Sequence, residues 1–221
     1  APIADKITLF ANTREGGGIR GLTVFLVDAD TKGISIGKEE DKMGIRASAT
    51  AEIIFEDCFV PDSARVGKEG RGFMIAMQTL QMSRPVVAAI SVGIAQAAIE
   101  AAVAYSHHRK QFGVKIATFE MVQQMIADMV MKTEAARILT YKACVAQMNK
   151  DKKAGLYSAM SKCFASDTAM EVTTTAVQVM GGNGYSRENP VEKYMRDAKI
   201  MQIYEGTNQV QRLVIANEAT F

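Results

Sequence analysis

A long apolar pattern opens at Gly70 to Phe73 and runs to about Arg109, and it fixes most of what the second part of this chain can become. Such a length is far beyond a strand, which usually spans about 3–10 residues. Inside it, the run from Pro85 to Ile99 is interrupted by Ser91, Gly93 and Gln96. No apolar stretch is therefore expected to reach membrane-spanning length, and the reading is a buried helix. Helical spacing recurs at Val122, Met125, Ile126, Met129 and Val130, and again at Met160, Phe164, Thr168, Val172, Ala176 and Val179. Lys150 to Lys153 is a polar link between those two patterns. Gly181-Gly182-Asn183-Gly184 ends a helix, because glycine supplies the left-handed termination. Pro190 is placed to start the next helix at its first turn.

The preceding part has a different texture. Ile7 to Phe10 and Leu22 to Val27 are short β-type runs around the turn signal Gly16-Gly17-Gly18. Ala51 to Val60 alternates and stops at Pro61-Asp62. Charge follows the same division: residues 1–66 hold 8 basic and 11 acidic side chains, residues 67–221 hold 18 and 13. The expected fold class is α+β, mainly α: a partial antiparallel β-domain over 1–66, then a C-terminal bundle of about five helices over 67–221.

Composition removes several function classes. A net charge of +2 on 221 residues does not point to nucleic acid. Cys58, Cys144 and Cys163 are odd in number and widely spaced, with neither metal-type pairing nor a disulfide framework. Fourteen methionines and no tryptophan suit a helical interior with adaptable packing. The chain opens at Ala1 without an initiator Met and enters at once on a turn and a strand-like run, which reads as part of a longer protein.

Three segments are candidates for chemistry. The glycines at 181–184 do not form the dinucleotide fingerprint; on their own they stop a helix, and bare backbone would also let a cofactor approach. His107 and His108 point about 100° apart on a helix and make no metal pair. Beside them, Arg109 and Lys110 suit either a helix C-terminus or a phosphate. In Ile203-Tyr204-Glu205-Gly206-Thr207, Thr207 can cap a helix whose apolar positions are Val210, Leu213 and Val214. Glu205 is then either a dipole-favoured residue at a helix start or a partly dry carboxylate, held beside Tyr204, that serves as a general base.

Taken jointly, several blocks resemble the acyl-CoA dehydrogenase family. They are Phe55-Glu56-Asp57 with Val60-Pro61, Gly70-Arg71-Gly72-Phe73, Ser83-Arg84-Pro85, Arg109-Lys110-Gln111-Phe112-Gly113, Ala176 through Tyr185, Tyr194-Met195-Arg196-Asp197-Ala198, and Gln202 through Arg212. The likeness is nearest to short- and medium-chain members and covers essentially the whole chain. It implies an FAD flavoprotein, usually tetrameric, that passes electrons from acyl-CoA to electron-transfer flavoprotein. It also implies an N-terminal helical domain and a first β-domain stretch lying before Ala1. The compartment it implies is the bacterial cytoplasm or the mitochondrial matrix.

Residue by residue, the resemblance makes Glu205 the catalytic base. Its own backbone N–H, with Tyr204 and Gly206 beside it, lies on the substrate, as do Arg84 and Gln81, the latter where medium-chain members carry an Asp. The cofactor-binding set is Arg109, Gln111 and Phe112, then Phe119 and Glu120, then Gln178, Val179, Met180, Gly181 and Gly182, and finally Thr207 and Gln209. Glu120 departs from a common Phe-Gln pattern. Ser83 stands where branched- and long-chain relatives place their catalytic Glu, so the resemblance implies a straight-chain substrate. Two other functions stay open at this point: an acyl-CoA oxidase, and a non-catalytic assembly fragment.

Overall fold

A computed structural model describes residues 2–220. Compact units run from the N-terminal end to Leu80 and from Gln81 onward. In the first, β1 (Lys6–Asn12) and β2 (Leu22–Asp28) pair antiparallel with Ile7 opposite Val27. Both of those side chains are buried, as is Val24. A separate antiparallel pair joins β3 (Ile34–Glu39) to β4 (Ala51–Phe55), and β5 (Arg65–Val66) extends the first sheet along β2. Thr23 is fully buried and satisfied: its hydroxyl bonds Thr13 Oγ1 at 2.8 Å and accepts the Gly70 amide at 3.0 Å.

The expected strand from Ala51 to Val60 is too long. It ends at Phe55, because Asp57 takes a left-handed φ of 47° and turns the chain away from the ladder. The strand β3 was not expected, although Ile34 and Ile36 alternate as a strand should.

The second unit contains most of α1 (Gly72–His108), followed by a hairpin of β6 (Lys110–Gln111) and β7 (Val114–Lys115). Then come α2 (Glu120–Met148), α3 (Ala154–Met180), the single turn α4 (Gly182–Tyr185), α5 (Val191–Met201) and α6 (Asn208–Thr220). Pro190 is the N-cap of α5, one residue before its first turn. The core joins Ala95, Ala98, Ile99 and Ala102 of α1 to Met129 of α2. Ala169, Val172, Ala176 and Val179 of α3, with Val191 and Ala198 of α5, complete it. Small side chains let these helices approach closely. The buried hydroxyls among them bond back one turn, as Ser166 does to Lys162 O, Thr173 to Ala169 O and Thr140 to Ala136 O.

Three expectations need correction. By length and composition α1 is sufficient to cross a membrane, because Ser91, Gly93 and Gln96 interrupt the apolar run without adding charge. Its partners Met129, Val172 and Ala176 nonetheless make it a core helix. On α3 the expected Thr168, Val172, Ala176 and Val179 are buried and Met160 is half-buried, but Phe164 is exposed, and Ala159, Lys162, Ala165 and Ala169 complete the inner face. The methionines are not chiefly interior: Met129, Met180 and Met201 are buried, but Met82, Met121, Met131 and Met148 are exposed.

Pro85 lies inside α1. Having no N–H, it leaves the Gln81 carbonyl without its helical donor. Gln147 of α2 supplies one, donating from Nε2 to Gln81 O at 3.1 Å and to Ser158 Oγ of α3 at 2.8 Å. This joins three helices immediately beside Ser83 and Arg84.

Candidate active site

Between α5 and α6 the chain makes a tight turn in which Glu205 has φ 58° and Gly206 φ 88°. A left-handed glutamate is uncommon and costs of order 1–3 kcal/mol, so the surroundings must enforce it. They do so from several sides. Gln211 Nε2 donates to the carbonyls of Glu205 and Gly206, each at 3.2 Å. Thr207 caps α6, its Oγ1 accepting the Val210 amide at 3.3 Å. The Asn208 amide donates back to Gln202 O at 3.0 Å. A Cβ on Gly206 would stand 2.5 Å from Gln211 Nε2, so only glycine fits that position undisturbed.

The turn presents the half-buried Glu205 carboxylate to α1. Ser83 Oγ donates to Glu205 Oε2 at 2.5 Å across 122 residues of sequence. Beside it, the half-buried Arg84 guanidinium is lowered by burial and raised in part by the charges of Glu205 and Glu218. Arg84 Nε is buried with no hydrogen-bond partner among the described residues, leaving a charged donor to be satisfied by something else. The Tyr204 phenol is pushed up by burial, then by Glu205, and its hydroxyl meets Met201 Sδ. Arg84, Tyr204, Glu205 and Gly206 share the region around the turn, whereas the half-buried Gln81, one helical turn before Pro85, has its side-chain amide beside Gly155.

Behind the turn lies a polar layer on α3. Asn208 Nδ2 donates to Ser166 Oγ at 2.8 Å and to Asp167 Oδ1 at 2.7 Å. Burial pushes the Asp167 carboxyl up, but hydrogen bonds from Arg212, Gln202 and Asn208 outweigh it and hold the group below its usual range. Thr207 and Gln209 line a cavity of about 560 Å³ on this side, with Asp167, Lys199, Gln202 and Arg212.

The remaining expected residues form a second group. At the far end of α1, Phe112 (φ 50°) and Gly113 (φ 81°) make the two-residue tip of the β6–β7 hairpin. Arg109 and Gln111 are exposed, and Phe112 is 93% exposed. Phe119 meets Phe112 edge-on with ring centroids 6.2 Å apart. Exposed Glu120 opens α2, where its charge suits the helix dipole. Asn183 Nδ2 donates to Tyr105 OH at 2.7 Å, tying the segment after α3 to the end of α1 near Arg109. Gln178, Gly181 and Gly182 are exposed there, and a Cβ on either glycine would meet no atom within 4 Å. Val179 and Met180 differ: both are buried in the core and offer no side chain to a ligand. Since α1 rises about 1.5 Å per residue, Arg84 and Arg109 stand roughly 37 Å apart along it.

Comparison with known proteins decides the family of the chain. Residues 1–58 match the middle domain of acyl-CoA dehydrogenase and residues 70–220 its C-terminal domain. The chain belongs to the acyl-CoA dehydrogenase family. A probable acyl-CoA dehydrogenase of Mycobacterium tuberculosis is 51% identical over 209 residues, covering 95% of this chain and 54% of that protein. The solved butyryl-CoA dehydrogenase of Megasphaera elsdenii superposes with a TM-score of 0.97 at 47% identity, over all of this chain and 57% of that one. A structure from work on the electron transferring flavoprotein of Acidaminococcus fermentans gives a TM-score of 0.96 at 51% identity, over 99% and 57% of the two chains. The chain thus spans just over half the length of the relatives it matches.

One residue of this family member escaped the sequence reading. Lys162 is fully buried against the turn, donating from Nζ to Gly206 O and Asn208 Oδ1, each at 2.9 Å. The available signal was its register, for a lysine stands among the residues forming the inner face of α3.

Proposed function

We propose that this chain carries the catalytic helical part of an FAD-dependent acyl-CoA dehydrogenase that forms trans-2-enoyl-CoA from short- or medium-chain straight acyl-CoA. The observation that carries the reading is Glu205 itself, a carboxylate displayed from a left-handed turn, hydrogen-bonded by Ser83 and within the field of the Arg84 charge. Such a carboxylate supports a role in proton abstraction rather than in helix capping, which Thr207 already performs. Glu205 takes the α-proton of the thioester as a C=C bond forms. The Glu205 backbone N–H polarises the thioester carbonyl, stabilising the charge that develops there. The uncommitted donor of Arg84, with Gln81, Tyr204 and Gly206, orients the substrate. Ser83 in place of a second carboxylate leaves Glu205 as the acceptor and favours a straight chain.

The second group fits a flavin dinucleotide. Arg109 offers an exposed planar cation for a phosphate, Phe112 and Phe119 offer aromatic surface, and Gln111 and Gln178 offer amides. Open backbone at Gly181 and Gly182 allows close approach, and Thr207 and Gln209 stand beside the turn. FAD, when bound, supplies acceptance of the β-hydride. The separation of the two groups along α1 supports a cofactor held by two copies of the chain in a homotetramer. Exposed Met121, Met131, Ile138, Tyr141 and Met148 on α2 give such an assembly apolar surface. Electrons then pass to electron-transfer flavoprotein, in the bacterial cytoplasm or the mitochondrial matrix.

The test is anaerobic bleaching of FAD in the complete chain by acyl-CoAs of graded length. Failure of every member to bleach a flavin-loaded protein would remove the dehydrogenase reading. Rapid peroxide formation in air would replace it with an oxidase. For the cofactor group, Arg109→Ala is expected to weaken flavin retention about 10–100-fold, the worth of a charge-assisted hydrogen bond, while slowing chemistry little. Unchanged flavin content after gel filtration would remove Arg109 from the site.

A further inference from the structure

We propose that Lys162 is the positioning residue of the Glu205 turn, its buried ammonium gripping the Gly206 carbonyl and the Asn208 side chain so that the carboxylate stands where proton abstraction requires it. The inference rests on the reading of Glu205 as the base.

A fully buried ammonium must spend its protons on acceptors. Lys162 spends two of them on the residues that flank Thr207, both at 2.9 Å. Among the described residues it makes no ion pair, although Asp167 lies five residues further along α3; that carboxylate is occupied by Arg212, Gln202 and Asn208. Burial is the largest influence on Lys162 and lowers it to about 8, with Asp167, Glu205 and the Cys163 thiol opposing and Arg84 reinforcing. It is therefore still mainly charged at neutral pH.

Its position explains how two consecutive left-handed residues are maintained. Gln211 holds the turn from α6, and Lys162 holds it from α3. The Asn208 side chain is itself bonded to Ser166 and Asp167, so the lysine links the turn to the polar layer on α3. Without the ammonium, the Gly206 carbonyl loses its charged donor and the two-residue turn can relax. A displacement of about 1 Å at a reacting group costs on the order of 10²-fold in rate.

The experiment uses the complete, FAD-loaded chain with Lys162→Met, which keeps the length of the side chain but removes charge and donors, and Lys162→Arg, which keeps both. Three quantities are read: the limiting rate of flavin reduction by butyryl-CoA, the acyl-CoA Kd from the flavin spectrum, and amide hydrogen exchange across the protein. Lys162→Met is expected to lower the rate about 10- to 100-fold with Kd changed less than about threefold. Exchange should rise in the peptide covering 202–209 and stay unchanged in α2, and Lys162→Arg should recover part of the rate. A folded Lys162→Met reducing flavin within about twofold of wild type would overturn the inference. So would a rate loss accompanied by faster exchange throughout. Should Lys162→Met not fold, Lys162→Leu carries the same comparison, and failure of all three to fold would make Lys162 a requirement of the fold, overturning the role. Absence of bleaching in wild type would instead defeat the dehydrogenase reading, while the exchange measurement would still decide whether Lys162 holds the turn.

Discussion

Glu205→Gln is expected to lower the limiting rate of flavin reduction by about 10²–10⁴-fold while acyl-CoA still binds. The substitution keeps the shape of the side chain and its capacity to accept from Ser83 Oγ. The backbone of the turn is held through carbonyls, by Gln211 and Lys162, and does not depend on the carboxylate. What is lost is the basic oxygen. Ser83, the nearest polar side chain, is a hydroxyl and offers no substitute base. The flavin spectrum should therefore shift on addition of butyryl- or octanoyl-CoA without bleaching. A glutamate retained only for local structure would behave differently, with stability altered by a few tenths of a kcal/mol and turnover near normal. Anaerobic stopped-flow reduction separates these outcomes, and bleaching at the wild-type rate with either substrate would end the assignment.

The second large effect is expected at Gly206. Gly206→Ala places a methyl group 2.5 Å from Gln211 Nε2 and keeps φ at 88°, where a side chain is strained. Gln211 is fully buried and has little room to withdraw. Either its bonds to Glu205 O and Gly206 O break or the turn shifts, and both move the base. The strain is worth about 1–3 kcal/mol, and the rate is expected to fall on the order of 10²-fold. Thermal unfolding and single-turnover reduction should be measured together. A stability loss with an unchanged rate would show that the carboxylate tolerates movement of its turn.

The sequence was informative where one local rule dominated. The span of α1 followed from its apolar pattern, and the cap at Thr207 from residue type. The end of β4 was not legible, since the left-handed Asp57 leaves no mark in an alternating run. Nor was the meeting of Ser83 with Glu205, which requires α1 and the turn after α5 to be brought together over 122 residues. Lys162 was hidden for a different reason. A single lysine in a helix ordinarily faces water, and only the burial of its neighbours on α3 shows that this one does not. The role of Gln147 was equally invisible, because it answers a carbonyl freed by Pro85 on another helix.

The proposed sharing of a flavin between copies of the chain, which rests on the distance between Arg84 and Arg109 along α1, has a thermodynamic consequence. A cofactor shared between copies binds the assembled state in preference to the separated chains, so its occupancy and the association of subunits are linked by mass action. Diluting the protein should release flavin, and excess flavin should hold the subunits together. The melting temperature should rise with protein concentration in a way that a self-contained site would not produce. A variant such as Arg109→Ala would then reveal itself most clearly in dilute solution and be masked at the concentrations used for crystallisation.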